Sequence, residues 1–317
     1  MARLLYTSAD FAPAWIALPP WELHDCVVAV LGRDTRAWPL TEPQCVTHFP
    51  SSPFVTVSAV LEGQVEVPVH HQRDLAGPAW RCSRLVLSGP QTRSSHSRYS
   101  ESTHSVMVLL YPHAWQLLSR TLADTWTNRS VDATPLLPPA MLGVFEGLWK
   151  PGDDAERLDH LFQRLSPLWR HCRDDHSATA LQWRFAAEPP LRTWLRWAAL
   201  CAAGSGVGRS LRQAERRFRA LTAQSQRALN KRARAERAFF AALEIYPQGK
   251  PNWTDLALEC GYADQSHFIR DIQEVTGFSP EAFYTGLMHE EAFSVYRAWA
   301  MLLGAEWSRS SGDGGRP

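Results

Sequence analysis

Between residues 210 and 222 the chain reads SLRQAERRFRALT. At about 100° per residue, Leu211, Ala214, Phe218 and Leu221 fall on one face of a helix. Arg212, Gln213, Arg216 and, to one side, Arg219 fall opposite. Ser210 suits the N-cap. A short helix packed by an apolar stripe and showing guanidinium groups can grip a phosphate or the edge of guanine, because the planar fork donates two parallel hydrogen bonds. A solvated arginine face is the plain alternative for this segment taken alone.

A second pattern lies at 253–280, WTDLALECGYADQSHFIRDIQEVTGFSP. Thr254 is expected to cap a first helix, with Asp255 in its first turn. Leu256 and Cys260 face inward together, and Gly261 supplies the positive φ of a tight turn. Tyr262 is expected to fill the gap between the helices. Asp264 then caps a second helix, so its carboxylate has a capping role. On that helix Phe268, Ile272 and Val275 share one face; Ser266, Ile269, Arg270 and Gln273 share the other, with Gln265 in the exposed first turn. His267 lies off that outer face and is expected to support the fold. Ser279 and Pro280 open a further helix. This is a helix-turn-helix pattern, whose second helix needs such an outer face to reach base edges in a major groove.

Charge is divided unevenly between the two patterns. Residues 192–237 hold twelve cations against Glu215 and Glu236, a net of +10, while the whole chain is +1. The segment 253–284 holds Arg270 against Asp255, Glu259, Asp264, Asp271, Glu274 and Glu281, a net of −5. Such asymmetry points to a polyanion met by the first segment.

The run from Ala257 to Phe283, A-x-x-C-G-Y-x-D-Q-S-H-F-x-R-x-x-x-x-x-T-G-x-S-P-x-x-F, resembles the second helix-turn-helix of AraC/XylS-type transcriptional regulators. Ser210 to Phe218, S-x-R-Q-x-E-R-R-F, resembles that family's first unit, and Gln226–Leu229 with Arg234–Phe239 resembles its linker. GPQTR at 89–93 is similar to the β-rich sensor half of some members. The resemblance implies two helix-turn-helix units joined by a long helix, with recognition helices near 211–221 and 265–276 entering successive major grooves. Carried over by position, it places Arg212, Glu215 and Arg216 in the first DNA face and Gln265, Ser266, Ile269 and Arg270 in the second; helical periodicity adds Gln213 and Arg219 to the first and Gln273 to the second. It implies promoter duplex DNA as partner and leaves room for a small-molecule effector, a homodimer and RNA polymerase. Two departures stand out. Where the family usually has a Phe and basic residues, this chain has Ile272, Gln273 and Glu274. Where the family commonly has G-x-S-P, it has Thr222-Ala223-Gln224-Ser225-Gln226, so the turn is expected to be less sharp or the helix to run on.

The elements before this region read differently. FVTVSAVLEGQVEVPV (54–69), with a hairpin turn expected at Glu62-Gly63, SRLVLSG (83–89) and THSVMVLLYP (103–112) read as short strands. From Pro112, the stretches 113–126, 140–149 and 155–172 carry helical spacing. The expected fold is α+β: a β-rich, cupin-like barrel serving as sensor or dimerisation domain over 1–180, with trailing helices, and an all-α double helix-turn-helix domain over 190–285. An extra helix is expected over 286–306, with Phe293, Tyr296, Ala300 and Leu303 at helical spacing, and a disordered tail over 307–317.

Composition bounds the alternatives. With 45% hydrophobic and 21% charged residues the chain can bury a core and is not globally disordered. Six scattered cysteines form no C-x-x-C pair and read as reduced core thiols of a cytoplasmic protein. There is no signal-peptide core and no run of 18 apolar residues, so no membrane span is expected. His70, His71, His96 and His104 lack metal-ligand spacing, and no nucleotide loop or nucleophile elbow occurs, so no enzyme activity, metal or cofactor is implied. A ligand- or protein-binding regulator whose acidic second unit no longer reads DNA is the competing reading; a β-barrel metalloenzyme fused to helices is the third.

Overall fold

The computed structural model describes residues 3–7, 9–38, 40–68, 79–82, 84–174, 190–204, 211–245 and 249–301. Its β-rich part contains β1 (Leu5–Tyr6), β2 (Ala14–Ala17), β3 (Val27–Asp34), β4 (Val46–Phe49), β5 (Val55–Glu62), β6 (Val65–Pro68), β7 (Ala79–Cys82), β8 (Leu85–Ser88), β9 (Ser95–Tyr99), β10 (His104–Leu110) and β11 (Ser130–Asp132). They form two antiparallel sheets, in the orders β1-β2-β3-β10-β5-β8-β11 and β4-β9-β6-β7. Period-two alternation explains the layering. On β5, Val55, Val57 and Ala59 point to the helix-covered side, while Thr56 and Ser58 point into a cavity between the sheets. On β10, Val106 and Val108 face the helices and Ser105 and Met107 face the cavity.

The expected hairpin at Glu62-Gly63 does not form. β5 pairs with β10 and β8, whereas β6 pairs with β7 and β9. The chain crosses from one sheet to the other at this turn. A local turn signal does not say which strand the chain rejoins.

Three helices, α1 (Pro112–Ser119), α2 (Pro139–Glu146) and α3 (Asp154–Asp174), cover the outer face of the larger sheet. The helix expected over 113–126 stops at Ser119 because Arg120 turns left-handed, φ 59°, and a short 3-10 turn at Ala123–Trp126 follows. Asp154, at the start of α3, ties this layer to the sheet. Its carboxylate accepts from Trp15 Nε1 at 2.6 Å and lies 2.9 Å from His104 Nε2. His104 therefore has a structural partner, and the described residues hold no group of metal-ligating side chains. His70 and His71 lie outside them.

The helical part follows: α4 (Pro190–Gly204), α5 (Leu211–Thr222), α6 (Gln226–Ile245), α7 (Trp253–Glu259), α8 (Gln265–Thr276), α9 (Pro280–His289) and α10 (Ser294–Met301). The segment expected as one helix over 286–306 is broken: Glu290 is extended, with φ −110° and ψ 133°, and a 3-10 turn at Glu291–Phe293 leads into α10. Phe293, Tyr296 and Ala300 are buried; Leu303 and the tail lie outside the described residues. The apolar interior is divided in an unexpected place. Phe218 of α5 and Leu229 of α6 belong to the core of the sheets and α1–α4. The later part of α6 forms a second core with α7–α10. No helix among the described residues is long and apolar enough to cross a membrane.

Candidate nucleic-acid interface

The helix expected to read the first groove is α5; α4 precedes it, and residues 205–210 between them lie outside the described ones. Phe218 is buried, while Arg212, Glu215, Arg216 and Arg219 are exposed and Gln213 is half-buried. The amphipathic pattern thus turns the arginines outward. Glu215 pairs with Arg219 at 3.4 Å, one turn away, which leaves Arg212 and Arg216 as the cations of this face outside that pair. Ser210 lies outside the described residues. The turn to α6 is tight without Gly or Pro: α5 ends at Thr222, and Ala223 adopts a left-handed φ of 61°. The Thr222 hydroxyl, 2.7 Å from Phe218 O and 2.9 Å from Gln224 O, stitches the turn. This corrects the expectation of a looser turn or continuous helix.

The second unit is α7 followed by α8. Its first cap is Asn252, whose side chain accepts from Thr254 N at 3.0 Å, rather than Thr254. Starting one position before Trp253 lets that indole stack on Tyr284, 5.2 Å between centroids. Thr254 instead donates its hydroxyl to Gln265 Oε1 at 3.2 Å. Gly261 has φ 79° and Tyr262 is buried in the angle. Asp264 caps α8 by accepting from His267 N at 2.8 Å, and Ser279 caps α9. His267 packs edge-on against Tyr262, as a supporting residue would. On the outer face Ser266, Arg270 and Gln273 are exposed; Gln265 and Ile269 are half-buried.

The acidity of this unit is answered by the geometry. Asp271, 1% exposed, lies 3.1 Å from Lys231 and 3.2 Å from Arg234 of α6. Glu274 lies 2.5 Å from the same Lys231 and Glu281 2.8 Å from Lys250. Asp264 is a cap, and Asp255 accepts from Asn252 Nδ2. Burial works against the charge on Lys231, but its bonds to Glu274 and Asp271 outweigh that and raise its pKa. Three of the six carboxylates, Asp271, Glu274 and Glu281, thus meet cations of α6 or Lys250, and Arg270 stands on the outer face.

The same contacts show that part of the +10 segment is spent internally. Arg232, 7% exposed, binds Ser51 Oγ, Gln224 Oε1 and Gln91 O, each at 3.0 Å. Ser51 and Gln91 belong to the β-rich part. Burial lowers the Arg232 pKa to about 10, against the pull of Glu236 and Glu274. By composition Arg232 belongs to the +10 segment; only its place on the inner face of α6, between Leu229 and Glu236, sets it apart.

The helix-turn-helix region is bolted to the β-rich part at further points. Ser51 N donates to Val275 O at 2.8 Å, at the end of α8. A Cβ on Gly277, φ 88°, would come within 2.6 Å of Ser94 Oγ, so only glycine fits. His48 of β4 packs edge-on against Phe278 and Phe293, and burial, aided by His96, lowers its pKa to about 4. Beneath this junction lies a cavity of about 180 Å³. Its floor includes Ser58, Ser97 and Met107 of the sheets and its roof includes Glu236, Ile272 and Trp299.

Residues 205–285 match the family model described as a helix-turn-helix domain. No curated protein matches the chain. Similar solved structures include ToxT K231A from Vibrio cholerae, at 11% identity and a TM-score of 0.38 over 81% of this chain and 96% of that one. They also include ToxT bound to an unsaturated fatty acid, at 12% and 0.31 over 75% and 92%. The AraC-like transcriptional activator CuxR matches at 12% and 0.30 over 94% and 90%. The chain's own elements make a β-rich N-terminal part joined to a helical region, and that region bears the helix-turn-helix domain. Residues 205–285 thus carry a helix-turn-helix domain.

Proposed function

We propose that this chain is a sequence-specific transcription regulator that reads two successive major grooves, with α5 in one and α8 in the next. The observation that supports this best is the matched pair of outer faces. Arg212 and Arg216 stand exposed on α5, Arg270 and Gln273 on α8, and α6 joins the two units. Arginine and glutamine are the side chains suited to bidentate base contacts. The ion pairing of Asp271, Glu274 and Glu281 with Lys231, Arg234 and Lys250 favours this reading over one in which the second unit has ceased to read DNA. Hydroxyl-radical footprinting on a selected duplex tests it. Two protected windows centred about 10 bp apart are expected; one window, or none, contradicts it.

The cavity is the proposed effector seat. Its wall is shared between the sheets and α6, α8 and α10, so an occupant contacts both parts at once. A ligand shifts a conformational equilibrium only through such differential contacts. The family resemblance adds a second copy of the chain and RNA polymerase as partners at the promoter.

A further inference from the structure

The polar groups of the cavity differ in what they still lack. Among the described residues, Arg232 is the one lining side chain with a fixed positive charge. Its three nitrogens already donate to neutral oxygens, Ser51 Oγ, Gln224 Oε1 and Gln91 O. Glu236, one turn further along α6, is only half met. Its Oε1 accepts from Trp299 Nε1 at 3.1 Å, while Oε2 is buried with no hydrogen-bond partner. A buried carboxyl oxygen left unpaired is costly. Burial raises the Glu236 pKa to about 7, against the bond from Trp299 and the charge of Arg232, so both protonation states are populated near neutral pH. The sheets add hydroxyls to the wall, among them Ser58, Ser97 and Ser105. The helical side is largely apolar and aromatic, with Phe239, Phe283, Tyr296 and Trp299.

We propose that the occupant of this cavity is a compact, neutral aromatic alcohol, a one-ring phenol, whose hydroxyl meets Glu236. A hydroxyl both donates and accepts, so it satisfies the carboxyl whether or not that group is ionised. A carbonyl serves only the protonated acid. An ammonium serves only the carboxylate and puts a second cation into the cavity that holds Arg232. A carboxylate ligand is repelled by ionised Glu236 and finds the nitrogens of Arg232 engaged. The volume of about 180 Å³ sets the size, since an apolar cavity of roughly 150 Å³ holds benzene. Rings on the helical side suit an aromatic body, which they meet edge-on or offset. The inference rests on the reading of this cavity as the effector seat and adds the ligand class to it.

The test is calorimetry on the full chain with four probes of one shape: para-cresol, para-xylene, para-toluate and para-methylbenzylamine. The proteins are wild type, Glu236→Gln, Glu236→Leu and Glu236→Met, each checked by a melting curve; two truncations guard against one that fails to fold. Wild type is expected to bind para-cresol more tightly than either charged probe. Glu236→Leu and Glu236→Met should weaken para-cresol about tenfold relative to para-xylene, the worth of one buried hydrogen bond. Glu236→Gln keeps an acceptor for Trp299 and an amide for the hydroxyl, so it should stay within about threefold of wild type. A para-cresol affinity that truncation leaves unchanged relative to para-xylene overturns the proposal. So does tighter binding of para-toluate, which would make the ligand an anion, or of para-methylbenzylamine, which would make it a cation; both leave the cavity as a binding site. If none of the four probes binds, the effector-seat reading falls with the inference. If para-cresol binds as expected and leaves affinity for the selected duplex unchanged, the ligand class stands and the effector role falls.

Discussion

Arg33 on β3 and Glu291, in the 3-10 turn after α9, form an ion pair at 2.8 Å across 258 positions of sequence. Their side chains are 10% and 4% exposed, and Ala12 N donates to the other oxygen of Glu291 at 3.2 Å. Arg297, fully buried, holds the same turn through the carbonyls of Leu287, Glu290 and Glu291. The segment after α9 is thus a strap between the β-rich part and the second helix-turn-helix. Glu291→Ala leaves Arg33 buried without its anion and should cost about 3–5 kcal/mol in urea unfolding. Replacing both residues, Arg33→Met with Glu291→Leu, should recover most of that loss. A single substitution costing under about 1 kcal/mol would contradict the assignment.

The turn between α5 and α6 stores a small strain at Ala223. A left-handed alanine costs about 1–2 kcal/mol, part of which glycine returns through its larger freedom in the unfolded chain. Ala223→Gly should therefore stabilise by about 0.5–1 kcal/mol, read from the urea midpoint at constant slope. Destabilisation would mean that the alanine methyl makes packing contacts that outweigh the strain.

Glu236 lines the cavity with its Oε2 buried and without a hydrogen-bond partner, while Oε1 accepts from Trp299 Nε1 at 3.1 Å. Burial raises its pKa from 4.5 to about 7, against the lowering by Trp299 and Arg232. The folded state therefore holds this proton longer than the unfolded chain, so the stability it confers falls as pH rises from 4.5 through 7. His48 and His113 act in the opposite direction: burial lowers both to about 4, and their contribution is lost as pH falls from 6.5 to 4. Glu236→Gln keeps the acceptor for Trp299 and removes the buried charge. It should match wild type near pH 4.5 and exceed it at pH 8 by up to about 2–3 kcal/mol. Equal stability at both pH values would show that the carboxylate is solvated when ionised.

Local features of the helical region were legible because each depends on residues a few positions apart. The caps at Asp264 and Ser279, the left-handed Gly261, and the outward faces of α5 and α8 all follow from short spacings. Thr254 was misassigned as a cap because Asn252 is an equally good acceptor, and the stacking of Trp253 decides between them. What stayed hidden involves partners far apart. Arg232 and Lys231 read as DNA-facing cations, but one anchors the β-rich part and the other neutralises Asp271 and Glu274. The same holds for the sheet change at Gly63 and for the Arg33–Glu291 strap, since neither pairing leaves a trace in local composition.

The central claim is that both units read DNA, and site selection from random duplexes tests it most directly. The selected duplex is then bound to wild-type protein, Arg216→Ala and Arg270→Ala. Each variant is predicted to lose about 1–3 kcal/mol of affinity and to relax preference at one base position, the two positions lying about one helical turn apart. If Arg270→Ala keeps wild-type affinity and preference while Arg216→Ala loses both, α8 is a scaffold and the two-groove account is wrong.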